Sequence, residues 1–400
     1  MKFALLGCDH DTLQLATAIA RDPAHALVWA HDLSVHGPAL RAAAPGLLVA
    51  EHWEGLLGET IADVVLVARA ADQQLRTDQL RKLAQVGVPM LVSHPVVDSM
   101  LVYYELDMIR QEGRARMAPF LLARWHPAWR RLAALIAAGE SGSLGMLEQV
   151  VIEHSAAGRD RAEVLSAFVS DMELARPFCG LLDKVSAMTS TGVRTAAETI
   201  NYATLSVQMS SPANLLVRWS LTGAGDERGR RFILIGTKGR ATLWAPHSGC
   251  WNLQSQLGGS TESEEFAEVD LAAAALPSLA GAIRGKAPAA DPEAGALPSG
   301  LSDWLDACGT MELADAAQHS IERGRAIELH YEAPTEHATF KGLMSGIGCL
   351  LLVAGLFVLV IATTAVHAGV PLAGSWPYVL LGVLVVFLLL QLLRLVFPSQ

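Results

Sequence analysis

The chain has 400 residues, enough for two or three domains, with 40 acidic against 30 basic side chains and a net charge of −10. That acidity, with no long Lys/Arg cluster, excludes a nucleic-acid partner. The five cysteines (Cys8, Cys179, Cys250, Cys308, Cys349) are scattered without CxxC spacing, which argues against a disulfide framework and leaves no metal site to expect.

The opening MKFALLG is too short an apolar run for a signal peptide and reads as a buried strand over 2–7, followed by a helix over 11–21. A second strand over 25–31 ends at Asp32. ADVVLVA (62–68) is continuously apolar after its Asp, the pattern of a strand buried on both faces. A helix over 75–86 and a short strand over 89–92, ending in Ser93-His94-Pro95, follow. Strand–helix alternation at this spacing predicts βαβ units and a doubly wound, Rossmann-type parallel sheet over 1–122. Ligands of such sheets bind at the carboxyl ends of the strands, here Gly7 to Thr12, Asp32 and Ser93 to Pro95.

The pattern then changes. A helix over 129–138, a strand over 147–155 and a helix over 163–182 precede β-type runs at 185–189, 204–209, 214–221, 231–235 and 241–245, with a hairpin at GTKG. This predicts an α+β domain over 123–335 with an open, mostly antiparallel sheet. Residues 272–300, rich in Ala, Pro and Gly, read as a surface excursion. The last predicted soluble elements are a helix over 312–323 and a strand over 326–331.

From 342 to 393 there is no Asp, Glu, Lys or Arg. Apolar runs at 342–366 and 372–393 are each long enough to cross a ~30 Å hydrocarbon layer, and Trp376 and Tyr378 suit its interface. A transmembrane helical hairpin over 342–396 is therefore expected. Lys341 and Arg394 place both termini and the soluble domains in the cytoplasm, at the inner membrane, with lipid as the hairpin's partner.

Four segments together resemble the Gfo/Idh/MocA family of NAD(P)-dependent oxidoreductases, the glucose–fructose oxidoreductase and inositol dehydrogenase relatives. They are ADVVLVA with its downstream SHP, RWHPAWRRLAALIAAGESGSLG (124–145), GTKGRATLW (236–244) and AQHSIERGRAIEL (317–329). The resemblance implies a Rossmann domain joined to an α/β domain with an open sheet, association of copies through that sheet, and hydride transfer between NAD and a sugar- or polyol-type small molecule.

The family's chemistry-bearing motifs are altered here. Its G-x-G-x-x-G loop falls on Gly7, Asp9 and Thr12, its Glu-Lys-Pro lysine on His94, and its Asp-x-Gly-x-His on Ser166, Phe168 and Ser170. Asp9 places a carboxylate where phosphates would sit. A like-charge pair at ~4 Å and an effective dielectric of ~20 costs about 4 kcal/mol before relaxation. A net ~2–3 kcal/mol weakens binding roughly 30- to 150-fold.

Asp32 reads either as a cap or as the acid that holds an NAD ribose. The expected cofactor contacts are Gly7, Asp9, Thr12, Asp32 and Ser93. His94 reads as a proton shuttle, a ligand contact or a structural loop residue. Arg124, His126, His154 and Ser170 are the candidate substrate contacts, each with a packing alternative. Two functions stay open: a membrane-anchored NAD-linked oxidoreductase, and a catalytically lapsed relative that senses a nucleotide or sugar or scaffolds a membrane complex.

Overall fold

The computed structural model describes residues 1–58, 61–113, 115–137, 139–156, 158–191, 201–223, 228–285 and 303–329. All belong to one unit, Met1–Leu329. The expected hairpin, 342–396, lies outside the described residues, as do 286–302 and the end of the strand expected at 326–331. Among the described residues no helix is long and apolar enough to cross a membrane.

The chain begins β1 (Lys2–Leu6), α1 (His10–Arg21), β2 (Ala26–His31), α2 (Gly37–Ala43), β3 (Leu48–Val49), α3 (Gly55–Gly58), β4 (Val64–Val67), α4 (Gln73–Val86), β5 (Met90–Ser93), α5 (Met100–Gly113) and β6 (Met117–Phe120). These strands form a parallel six-stranded sheet in the order β3-β2-β1-β4-β5-β6. That order is the dinucleotide-type double winding, with its topological switch at β1/β4. Every residue of β4 is buried, as its unbroken apolar run requires. Local signals set the helix ends. Asp72 caps α4 through the Leu75 amide, and Gly87, at φ +79°, ends that helix in the left-handed region open to glycine.

The second half runs α6 (Pro127–Ala137), β7 (Leu147–Ser155), α7 (Arg161–Cys179), β8 (Lys184–Thr191), β9 (Tyr202–Ser210), β10 (Leu216–Thr222), β11 (Gly229–Gly236), β12 (Gly239–Pro246), β13 (Trp251–Leu257), β14 (Ser260–Phe266), α8 (Leu271–Ile283), α9 (Trp304–Arg323) and β15 (Ile327–Glu328). Its strands build a nine-stranded sheet, β14-β13-β12-β11-β7-β10-β9-β8-β15, antiparallel except where β10 meets β7. One face packs α6, α7 and α9 into a core continuous with the α4/α5 side of the first sheet. The other presents polar residues such as Glu153, Arg231, Arg240 and Gln256.

The structure corrects several expectations. Residues 271–283 are not a surface excursion. They form α8, whose Ala272, Ala275, Leu276, Leu279 and Ile283 are buried with Leu15 and Ile19 of α1 against the first sheet. A late segment thus completes the first domain, which the boundary at 122 did not anticipate. Helix α9 begins at Trp304, eight residues before the expected 312, because Asp303 caps it and the Trp304 ring is buried. Strand β10 starts at Leu216 rather than 214, since Asn214 turns at φ +63°. Helix α5 and strands β13 and β14 had not been expected.

Candidate functional site

The turn between β1 and α1 is held by its own side chains. Asp9 is the N-cap of α1. Its Oδ1 accepts from the Thr12 amide (2.9 Å) and hydroxyl (2.8 Å), and its Oδ2 from the Arg69 amide (3.1 Å). Thr12, fully buried, returns a contact by accepting from the Asp9 amide at 2.8 Å. A helix N-terminus attracts an anion, and here the chain supplies one. Asp11 adds a second carboxyl in the first turn; burial, and then the Asp9 charge, push its pKa up.

Arg76, from α4, closes the other side. It is 1 % exposed, and Nη1 donates to the Leu6 carbonyl at 3.1 Å. A Cβ at Gly7, whose φ is +76°, would stand 2.4 Å from Arg76 Nη2. The space that this glycine leaves open is therefore filled by a guanidinium. Asp32, with a 51 % exposed side chain and φ +57°, faces the same Nη2 at 3.8 Å. Arg76 Nε has no partner, and burial lowers the guanidinium pKa to about 10.

Ser93 and His94 end β5 in the interior. His94 is 4 % exposed, with Nδ1 on Tyr103 Oη (3.0 Å) and Nε2 on Thr310 Oγ1 (3.1 Å). Thr310 in turn meets Glu173 Oε2 at 3.0 Å, while Glu173 Oε1 pairs with Arg124 Nη2 at 2.9 Å and its main-chain carbonyl accepts from the same nitrogen. This Arg124–Glu173–Thr310–His94–Tyr103 chain ties the segment after β6, α7, α9, β5 and α5 together. It places His94 and Arg124, for each of which a packing role was one of the readings, inside one buried network. Both ring nitrogens of His94 are engaged, and neither side chain lines the cleft described below.

Burial lowers the His94 pKa from 6.5 to about 4, against the pull of the Glu173 carboxylate. The unfolded chain therefore binds the proton more readily across that interval. Stability is complete above pH 6.5 and declines as pH falls toward 4. The His94 share of the loss by pH 4.5 is about 2–3 kcal/mol, read by urea unfolding as a reduced slope in His94→Gln, with His126 keeping its own share over the same interval. An unchanged slope in that variant would contradict the assignment.

The main cleft, about 680 Å³, lies between the N-terminal turn of α1, the segment after β6, α7 and the β7–β11–β12 side of the second sheet. Ser170, His126 and His154 line it. Ser170 donates to the His94 carbonyl at 3.4 Å. His154, at the end of β7, places Nδ1 2.7 Å from Asp171 Oδ2. Asp171 is 0 % exposed; Trp219 Nε1 also donates to its Oδ2 at 2.9 Å, and Arg230 Nε faces Oδ1 at 3.3 Å as an ion pair rather than a directed hydrogen bond. Burial acts to raise the Asp171 pKa, but the His154 and Arg230 charges and the two donors prevail and hold it below the usual carboxylate value. His126 stacks on Trp251 at 3.8 Å, accepts from the Ala128 amide at Nδ1 (3.2 Å), and has no partner at its buried Nε2. Arg69, turned by its ion pair with Asp98 (2.7 Å), and Arg230 also border the cleft.

Asp171, Arg230 and Arg76 were missed in the sequence. Asp171 follows Ser170 directly, so an acid beside the family's histidine position was the available signal. Among the described residues no cluster of His, Cys, Asp and Glu could hold a metal ion.

No family model and no curated protein matches the sequence. Solved structures do. Myo-inositol dehydrogenase from Corynebacterium glutamicum is 19 % identical, with TM-score 0.62 over 82 % of this chain and 99 % of that one. A 3-ketoreductase variant from Actinomadura kijaniata, in complex with TDP-benzene and NADP, is 13 % identical, with TM-score 0.63 over 80 % and 98 %. An oxidoreductase from Agrobacterium radiobacter, in complex with NAD+, L-tartaric acid and magnesium, is 13 % identical, with TM-score 0.63 over 82 % and 98 %. The fold is that of the Gfo/Idh/MocA-type oxidoreductases. Neighbours with this fold are crystallised with NAD+ or NADP. Gly7 and Asp32 keep their places at the corresponding turn and strand end of this chain. In this chain the Asp9 carboxylate holds the helix N-terminus, where such a fold seats a pyrophosphate, and the Arg76 guanidinium stands against Gly7.

Proposed function

We propose that this chain is a ligand-binding protein on the Gfo/Idh/MocA oxidoreductase fold. It holds a small, sugar- or polyol-type molecule in the cleft and works as a sensor rather than as a nicotinamide-linked dehydrogenase. The single observation behind this reading is the self-filled turn, Asp9 on the helix N-terminus with Arg76 against Gly7. The engagement of both His94 nitrogens supports it, since the position of the family's lysine then offers no group to a substrate. The cleft suits hydroxylated ligands, with histidines, Ser170 and arginine side chains at its wall and Trp251 as an apolar floor.

The run at 342–393, free of Asp, Glu, Lys and Arg, supports attachment to a membrane with the described residues on the cytoplasmic side. The polar open face of the nine-stranded sheet is the surface through which copies would associate.

An NAD-linked oxidoreductase of a sugar or polyol is the second reading. Asp32, at the strand end where an NAD ribose is held in such folds, favours it, as do the nicotinamide cofactors of the fold neighbours. Fluorescence titration with NADH separates the two: the sensor reading expects no binding at millimolar cofactor.

A further inference from the structure

We infer that the cleft carries a proton-transfer pair for small hydroxylated carbonyl compounds, with His154, oriented by Asp171, as base and His126 as hydrogen-bond donor to the carbonyl oxygen. This rests on the cleft being the ligand site and adds a reaction that needs no nicotinamide.

The proton positions follow from the partners. Asp171 is ionised and can only accept, so His154 Nδ1 bears hydrogen, and in the neutral form of the ring Nε2 offers a lone pair. Among the described residues Nε2 has no protein partner, and the ring borders the cleft. A buried carboxylate on the far nitrogen fixes the ring's orientation and steadies the imidazolium that forms when the near nitrogen takes a proton. The Trp219 donor and the Arg230 guanidinium hold that carboxylate in place.

His126 has the complementary arrangement. The Ala128 amide donates to Nδ1, so Nε2 carries the proton. That N–H is buried and unpartnered, which costs on the order of 1–3 kcal/mol unless something accepts from it. Stacking on Trp251 at an interplanar angle of 11° fixes the ring. Burial lowers its pKa to about 4, so the ring is neutral near pH 7. A neutral imidazole N–H is a suitable donor to an oxygen that gains negative charge.

The step conserves atoms and electrons. His154 Nε2 takes the proton from the carbon next to the carbonyl. The C–H pair becomes the new C–C π bond, and the carbonyl π pair moves onto oxygen, which accepts from His126 Nε2–H. The proton then returns to the same carbon, or, once the neighbouring hydroxyl has passed its own proton to the former carbonyl oxygen and become the new carbonyl, to the former carbonyl carbon. No oxidant or reductant is consumed. The ligand class is a hydroxy-ketone or hydroxy-aldehyde; Arg69 and Arg230 at the cleft would also accept a carboxylate on it.

The test uses the full chain in deuterium oxide with dihydroxyacetone and hydroxypyruvate, the same unit without and with a carboxylate. Proton NMR follows loss of the C–H signal and calorimetry follows binding. The wild-type chain should exchange a probe faster than buffer. His154→Gln should slow exchange about 100-fold or more with Kd little changed, and free imidazole should restore it in His154→Gly. Asp171→Asn should lower the exchange rate without weakening binding. Probe binding without exchange, or exchange that survives His154→Gln, would overturn the pair and leave the ligand-binding reading standing. Failure of both probes to bind at millimolar concentration would overturn both.

Discussion

The Asp9→Gly, Arg76→Ala double variant is expected to bind NADH about 30-fold more tightly than the wild-type chain, or better. Glycine at 9 removes the carboxylate that caps α1 and frees the Thr12 and Arg69 amides, both now bonded to Asp9. It still tolerates the N-cap conformation, so the helix loses only a few tenths of a kcal/mol. Alanine at 76 removes the guanidinium that stands where a Gly7 Cβ would be, and leaves Asp32 without its nearest cation. The relief of like-charge repulsion alone is worth ~2–3 kcal/mol. The single variants separate charge from space: Asp9→Gly should carry most of the gain, because Arg76 can move its flexible end. Equal and undetectable binding by all variants would show that another part of the cleft excludes the dinucleotide.

Replacing Glu173 by alanine should lower the unfolding free energy by about 3–5 kcal/mol, the cost of leaving a buried charge without its partner. Its carboxylate pairs with Arg124, whose side chain is 8 % exposed, and accepts from Thr310. Burial lowers the Arg124 pKa, and the Glu173 charge opposes that shift. Without Glu173 the guanidinium stays in the interior without its ion-pair partner, keeping the main-chain carbonyl and the more distant Asp306 charge, and Thr310 loses its bond to the carboxylate. Arg124→Met with Glu173→Leu removes both charges and should cost far less than either single change. Urea unfolding of the three proteins gives the comparison. A loss under about 1 kcal/mol in Glu173→Ala would mean that the pair is solvated and holds little.

The parts of the fold that showed in the sequence were those with a local signal. The apolar run of β4, the helix α4 and the GTKG hairpin all depend on neighbours in sequence. Helix α8 did not show, because its alanine-rich residues with Pro277 look like low complexity until α1 and the first sheet cover them. Strand β14, STESEEF over 260–266, has no apolar alternation to reveal it; pairing with β13 makes it a strand. At the site, Asp9 and Thr12 showed in the sequence as replacements of loop glycines; their capping pair appears only in the folded turn. Arg76 was not. An arginine on a helix is ordinarily solvated, and only the packing of α4 over the β1–α1 turn buries this one. His94 was recognisable as a strand-end histidine. Its withdrawal depends on Tyr103 and Thr310, the latter 216 residues away.

The claim on which the account depends is that the chain's own side chains occupy the dinucleotide's phosphate seat. Titrating the full-length wild-type protein with NADH, read by nicotinamide fluorescence and by calorimetry, tests it most directly. The account predicts no saturable signal at millimolar cofactor. Saturable binding in the micromolar range, with hydride passed to any sugar or polyol, would contradict it.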